Sequence, residues 1–228
     1  MYAAIESQSH WKAHSSAGVG LPIGPRRRVD CKVVIMREYD EIAEWYASDR
    51  THPTGVPEVT VLAASVPRGA RVLDIGCGNG LPITRTLLDA GHHVIGLDSS
   101  REMLARFRAN LPATPVIRGL VQTSAFADEV FDAAVAWGVM FHLTHDDQAK
   151  AIASVSRVLR AGAPFLFTAG DVDDVDGGIT GTMNGVTFHY FSFSVEAYRN
   201  LLSENGFTLL NVRKDPGDNT YYLARKTV

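Results

Sequence analysis

A short glycine-rich segment between a predicted strand and a predicted helix constrains the fold of this chain more than any other feature. The apolar run RVLDI at 71–75 is typical of a buried strand, and the sequence GCGNG follows it at 76–80. Alternating glycines allow the backbone to turn sharply and to approach a ligand where a side chain would collide. The helix predicted over 81–91 directs its N-terminal amides to the same place, which suits a carboxylate.

Strand-like and helix-like segments alternate through the rest of the chain. Further strands are predicted at 92–98, 115–119, 131–137 and 164–170, and helices at 100–110 and from Thr144 to Leu159. Near the C-terminus, Ser194 precedes a predicted helix, and two strand-like segments flank the turn at 215–219, which predicts a hairpin. This order predicts an α/β fold with a parallel sheet, helices on both faces and one antiparallel strand that closes the sheet.

Residues 1–35 differ in composition from residues 36–228. They contain clusters of Ser, Gly and Pro and a basic run at 26–28, which predicts a loosely structured N-terminal extension. The basic run either touches phosphate or an acidic partner, or is simply solvated. From Met36 onward we expect one domain, which opens with a helix over YDEIAEWYASDR at 39–50 and a second helix after Pro57.

Composition and charge exclude several classes of protein. The chain has 228 residues, of which 21% are charged, and a net charge of −3, which argues against a dedicated nucleic-acid-binding protein. Cys31 and Cys77 are the only two cysteines, and such isolated thiols favour a reducing compartment over a disulfide framework. Neither a signal-peptide core nor an apolar run of the roughly 20 residues that span a bilayer is present, so we expect a cytoplasmic protein with no membrane association.

The segment VLDIGCGNG at 72–80 resembles motif I of the class I S-adenosylmethionine-dependent methyltransferases. The similarity extends from Tyr39 to Lys226, in the manner of small bacterial enzymes that methylate metabolites. It implies a Rossmann-like seven-stranded mixed sheet whose last strand is antiparallel. It also implies S-adenosylmethionine as the cofactor, S-adenosylhomocysteine as the product and no metal.

Two alternatives to a methyltransferase stay open. A nicotinamide-dependent oxidoreductase shares the glycine-rich turn, but its fingerprint has a third glycine where Leu81 stands here. A protein that binds S-adenosylmethionine without turnover is the second alternative, because no single residue is obligatory for methyl transfer.

Asp98 is the best candidate for a contact to the cofactor outside the glycine-rich segment. It ends a predicted strand about 20 positions after the glycine turn, where an acid accepts hydrogen bonds from ribose hydroxyls in dinucleotide folds. Alternatively, Asp98 and Ser99 cap the next helix. The resemblance implies that Met103 packs on adenine, although a lone Met is equally consistent with core packing.

The segment expected to contact the edge of the adenine ring is where this sequence departs from the family. Many relatives carry an acid after the third strand, whereas here the run is GLVQTS at 119–124. Backbone groups near Leu120 and Val121, with Gln122 or Ser124 as an acceptor, are the expected substitutes. In full, the predicted cofactor-binding residues are Tyr39, Tyr46, Asp74, Gly76, Cys77, Gly78, Gly80, Asp98, Ser99, Met103, Val121, Gln122 and Trp137.

The N-terminal helix resembles the lid of these enzymes, in which tyrosines close over the methionine moiety. Tyr39 and Tyr46 are seven residues apart and share one helical face. Ordinary packing of an amphipathic helix explains the same spacing.

The residues around the substrate that accepts the methyl group are predicted from the segment WGVMFHL at 137–143, which follows the fourth strand. We call this part of the site the acceptor side. It lacks the Asn/Asp-Pro-Pro-aromatic motif of nucleic-acid methyltransferases, so we expect a small-molecule substrate and no nucleic-acid partner. His142 is the candidate proton acceptor, or else a structural histidine. The aromatic insert at 177–193 is a candidate substrate roof, with His189 as a second candidate base. The predicted substrate-binding residues are Phe141, His142, His189 and Tyr190, and the expected oligomeric state is a monomer or homodimer.

A metal site is not expected. His142 and His145 are three residues apart, but the segment from Thr144 to Asp147 is explained by helix capping. The acidic run at 171–176 lacks the ligand spacing of a calcium loop.

Overall fold

A computed structural model describes residues 31–49, 54–174 and 178–227 of the protein. The helices in these ranges are α1 (Cys31–Asp49), α2 (Val56–Ala64), α3 (Ile83–Asp89), α4 (Arg101–Asn110), α5 (His145–Val158) and α6 (Val195–Glu204). The strands are β1 (Arg71–Ile75), β2 (His93–Asp98), β3 (Val116–Arg118), β4 (Ala133–Ala136), β5 (Pro164–Thr168), β6 (Ile179–Met183), β7 (Val186–Tyr190), β8 (Phe207–Lys214) and β9 (Thr220–Lys226).

Seven of the strands form one mixed sheet, in the order β3-β2-β1-β4-β5-β9-β8. Strand β9 runs antiparallel to both of its neighbours, and the pairs among β1 to β5 are parallel. The predicted Rossmann-like sheet with one antiparallel strand is therefore confirmed. The strand order reverses between β1 and β4, and open α/β sheets bind ligands beyond the carboxyl ends of the strands at such a point.

Alternating side chains of the central strands fill two apolar layers. Leu73 and Phe167 pack with α5 and α6 on one face, and Val72 and Leu166 pack with α2 and α3 on the other. Burial on both faces explains why the central strands are continuous apolar runs rather than alternating ones. The cap predicted for α5 is present, because Oγ1 of Thr144 accepts a hydrogen bond from the amide of Asp147 at 3.3 Å.

Two features differ from the expected layout. The aromatic insert contains a two-stranded sheet of its own, the β6–β7 hairpin, because its alternating residues pair across a turn at Asn184 and Gly185. Helix α1 begins at Cys31, so the boundary predicted at Met36 falls inside a helix. The basic run at 26–28 lies outside the described residues, and the loose character of the extension stays a prediction.

Candidate active site

An open cleft of about 820 Å³ lies beyond the carboxyl ends of β1, β2 and β4. Many residues that the sequence predicts to bind cofactor or substrate line this cleft: Tyr39, Tyr46, Gly76, Gly78, Asp98, Ser99, Met103, Val121, Gln122, Trp137 and His142.

The three glycines of motif I have different structural roles. A Cβ added to Gly78, which has a φ of +53°, would meet no atom within 4 Å, so this glycine faces open space in the cleft wall. A Cβ on Gly76 would lie 2.0 Å from Cγ2 of Val139, and one on Gly80 would lie 2.5 Å from Cδ1 of Leu111. Gly80 therefore permits close packing and does not line the cleft, contrary to its predicted contact with the cofactor.

Asp98 is held by backbone amides at the rim of the cleft. Its Oδ2 accepts a hydrogen bond from the amide of Gly78 at 2.8 Å, and its Oδ1 accepts one from the amide of Ser100 at 2.8 Å. Burial raises the pKa of Asp98, the amide hydrogen bonds lower it, and the nearby charge of Asp40 raises it. The carboxylate has a fixed orientation and acceptor capacity to spare, which suits a diol.

Asp74 lies behind the glycine loop and is almost fully buried. Its Oδ2 accepts a hydrogen bond from the hydroxyl of Thr84 at 2.5 Å. Burial raises the pKa of Asp74 to about 7, the bond from Thr84 opposes this shift, and the charge of Asp98 adds to it. Asp74 and Cys77 line a smaller side pocket that shares Tyr46 and Trp137 with the main cleft.

The far end of the cleft is lined by the turn that follows β3. Within the described ranges, Oε1 of Gln122 is buried and has no hydrogen-bond partner. Met103 contributes a buried side chain from α4. Asp147 also lines this cleft, although the sequence suggested only a helix-capping role for it. Its position in the first turn of α5, which packs on the turn at 121–123, is what brings it there.

His142 also lines the cleft and lies inside a cluster of aromatic rings. It ends a short 3-10 turn, is 4% exposed, and its Nε2 lies 2.8 Å from the hydroxyl of Tyr39. The rings of Phe141, Phe188 and Tyr190 lie 4.7, 5.6 and 5.1 Å from the imidazole ring, measured between centroids. Phe188, on β7, was missed because a single Phe in a short segment carries no signal of its role.

Three predicted acceptor-side residues do not line the cleft. Phe141 and Tyr190 pack against His142 instead, so their contribution is indirect. His189 follows Phe188 on β7 and is exposed, because successive residues of a strand point to opposite faces. The geometry gives His189 no support as a catalytic base.

The sheet order, the glycine loop and the acid at the end of β2 define the class I fold of S-adenosylmethionine-dependent methyltransferases. Residues 72–162 match the methyltransferase domain family. The chain therefore has the class I fold and matches the methyltransferase domain family over these residues, as motif I indicates.

Known proteins similar to this chain carry the same fold or family. The structure of the 1,6-didemethyltoxoflavin-N1-methyltransferase of Burkholderia thailandensis, with 1,6-didemethyltoxoflavin and S-adenosylhomocysteine bound, covers 91% of this chain and 94% of its own. Its TM-score is 0.68 and its identity is 20%, which shows the shared fold. An uncharacterized methyltransferase of Mycobacterium tuberculosis is 38% identical over 120 residues, 51% of this chain and 46% of the relative.

A further relative is named for a tRNA substrate. The tRNA (carboxymethyluridine(34)-5-O)-methyltransferase of Arabidopsis thaliana is 30% identical over 154 residues, 64% of this chain and 34% of the relative. The chain thus spans between a fifth and just over half the length of curated relatives that it matches, from 20% to 55%.

Over residues 31–49, 54–174 and 178–227, no group of three or more His, Cys, Asp or Glu side chains is arranged to hold a metal ion. None of the helices in that part of the chain combines the length and apolar composition needed to cross a membrane.

Proposed function

We propose that the protein transfers the methyl group of S-adenosylmethionine to an oxygen, nitrogen or carbon nucleophile of a small molecule. The observation that carries this proposal is one cleft that is lined by two chemically different groups of residues. One group contains Gly78 and Asp98, and the other contains the hydrogen-bonded pair of Tyr39 and His142.

The residues of the cleft fit the cofactor. The open space beside Gly78 admits a ligand against the backbone, and the free acceptor capacity of Asp98 suits the ribose hydroxyls. The buried Oε1 of Gln122 suits the adenine amino group, beside Met103. When bound, S-adenosylmethionine supplies a methyl group on a positively charged sulfur, which a nucleophile attacks directly.

The chain's own residues align the acceptor, exclude water and move one proton. Trp137 and Tyr46 line the cleft, and with the ligands bound their rings would help to align the acceptor and to exclude water. The Tyr39 hydroxyl lines the cleft and contacts the imidazole of His142, so a proton from the acceptor can enter at Oη of Tyr39 as another proton passes to Nε2 of His142.

The charges of the cleft favour a neutral or cationic acceptor. Among the described residues that line it, none is Lys or Arg. An anionic group on an acceptor held beside Tyr39 and His142 would therefore find no opposite charge. The Arabidopsis relative is named for a carboxymethyluridine, whose carboxyl group is anionic, and the Burkholderia enzyme for a small heterocycle. A small acceptor therefore fits better, and tRNA is the second candidate.

The test is a methyl-transfer assay that measures release of S-adenosylhomocysteine over two panels. One panel contains neutral and cationic metabolites, and the other contains total tRNA. Turnover with a metabolite supports the proposal, and turnover with tRNA alone refutes the small-molecule acceptor. Calorimetric binding of S-adenosylhomocysteine without any turnover would favour the non-catalytic alternative, and binding of NAD(H) instead would favour an oxidoreductase.

A cytoplasmic location, the absence of a resident metal and a monomeric or homodimeric state stay predictions.

A further inference from the structure

Two consecutive residues of α1 contact two different segments that border the cleft. Tyr39 contacts His142 at the acceptor end, as described above. Asp40 contacts the start of α4 on the ribose side, where its Oδ1 accepts hydrogen bonds from the hydroxyl of Ser100 at 2.5 Å and from the amide of Glu102 at 3.1 Å. A single helix therefore contacts both the aromatic cluster around His142 and the segment that follows Asp98.

Ser100 connects Asp40 to Asp98. The Ser100 side chain is buried; its hydroxyl donates to Asp40, and the same oxygen accepts a hydrogen bond from the amide of Met103 at 3.1 Å. The Ser100 amide donates to Oδ1 of Asp98 at 2.8 Å. Asp40 thus fixes the rotamer of the residue that both caps α4 and orients the carboxylate of Asp98.

We propose that Asp40 is a positioning residue that couples docking of α1 to the orientation of the Asp98 carboxylate. This inference rests on the proposed function, because it takes the ribose of S-adenosylmethionine as the ligand of Asp98. Loss of the Asp40 contacts leaves the Ser100 hydroxyl free to rotate and one early amide of α4 without its acceptor. It also removes the ribose-side contacts of Asp40, so Tyr39 is held less firmly against His142.

Electrostatics gives a signature that a merely structural residue lacks. The acidic and thiol groups that face Asp98 are Asp40 from α1, Asp74 from β1 and Cys77 from the glycine loop. The charge of Asp40 raises the pKa of Asp98. A diol needs the ionised carboxylate, so affinity is full above that pKa and is lost as pH falls through it. Removing the charge at position 40 therefore moves this loss to lower pH.

The experiment compares Asp40→Asn with Glu44→Gln, a matched removal of one exposed charge a turn further along α1. Calorimetric titration with S-adenosylhomocysteine is run from pH 5 to pH 8, and amide hydrogen exchange of α1 is measured with and without this ligand. The amide oxygen of Asn can still accept the hydrogen bonds from Ser100 and Glu102, but without the negative charge both bonds weaken. For Asp40→Asn we therefore expect affinity at pH 8 to fall about fivefold to tenfold, the loss of affinity in acid to move to lower pH, and ligand protection of α1 to weaken. Glu44→Gln should match the wild type.

Other results are equally decisive. Wild-type affinity and protection in Asp40→Asn would overturn the inference while leaving the cofactor site intact. If the affinity falls by the same factor at every pH, and its decline in acid stays at the same pH, Asp40 has only a structural role. If the wild-type protein itself does not bind S-adenosylhomocysteine, the proposed function fails. Should Asp40→Asn not fold, Ser100→Ala removes the same link from the other side, and unchanged affinity and α1 protection in that variant would overturn the coupling.

Discussion

The hydroxyl of Tyr39 lies 2.8 Å from Nε2 of His142, although 103 residues separate the two in sequence. The imidazole is almost fully buried, and this nitrogen is engaged by the tyrosine. The sequence suggested that His142 takes a proton directly from the acceptor. The geometry places the tyrosine hydroxyl beside this nitrogen, so the proton acceptor we propose is the pair rather than the histidine alone.

The pair can be tested by removing one polar group at a time. Tyr39→Phe keeps the ring contact with Phe188 but removes the hydroxyl, and we expect methyl transfer to slow by roughly 10- to 100-fold. His142→Gln should slow it by roughly 10²–10⁴-fold, because an amide cannot take up the proton. Single-turnover rates measure both effects, and affinity for S-adenosylhomocysteine should change little. The control is His93→Gln, at the exposed first position of β2. If Tyr39→Phe and His142→Gln are both fully active, alignment of the acceptor against the methyl group is the whole mechanism.

Gly78→Ala should abolish binding of S-adenosylhomocysteine, because the added methyl group would project into the space that a ligand occupies. A positive φ also strains any other residue, at a cost of about 1–2 kcal/mol. Gly162→Ala is the matched control, since Gly162 has a φ of +79° and equally open surroundings in the turn before β5. Both variants should lose similar thermal stability, but only Gly78→Ala should lose binding in calorimetry. Equal binding by the two would show that the glycine loop is purely structural.

Asp98→Ala should weaken S-adenosylhomocysteine binding by about 2–4 kcal/mol, because hydrogen bonds to a charged acceptor are lost. Part of this loss is indirect, since the amides of Gly78 and Ser100 lose their acceptor as well. Calorimetric titration measures the change, with Asp89→Asn on α3 as an exposed control. Unchanged affinity would exclude Asp98 from the ribose site.

The stability of the ligand-free protein should depend on Asp74. Burial raises its pKa from 3.8 to about 7, so the folded state holds the proton more tightly than the unfolded state. The resulting stability is complete below about pH 4 and is lost as pH rises through 7. Between pH 5 and pH 8 the loss is about 2–3 kcal/mol. Asp74→Asn should remove this dependence in urea unfolding, whereas Asp89→Asn should retain it. Parallel pH profiles for the wild type and Asp74→Asn would show that Asp74 is ionised in the folded protein.

The sequence predicted the sheet because its central strands are buried on both faces. Apolar runs such as 71–75 and 131–137 are strong signals, and caps such as Thr144 mark helix starts by local hydrogen bonding. The β6–β7 hairpin was not predicted, because its strands are short, half exposed and interrupted by glycine. Its pairing depends on a turn at Asn184 and Gly185 rather than on apolar periodicity.

The candidate site was predictable where spacing along one chain segment determines it. Motif I and Asp98 belong to adjacent strands, so their proximity follows from the fold class. The contacts of Tyr39 with His142 and of Asp40 with Ser100 depend on how α1 packs against α4 and β7, which no local pattern encodes. The packing role of Gly80 could not be predicted either, because it depends on the position of Leu111 in the folded chain.

The β6–β7 hairpin forms a sheet separate from the seven strands that carry the glycine loop and Asp98. Through Phe188 it contacts both Tyr39 and His142. Under the proposed function, a change in this hairpin alters the surroundings of the Tyr39–His142 pair without altering the strands that carry the glycine loop and Asp98. We therefore expect residues 178–190 to influence acceptor choice, and a graft of this segment from another methyltransferase to change it.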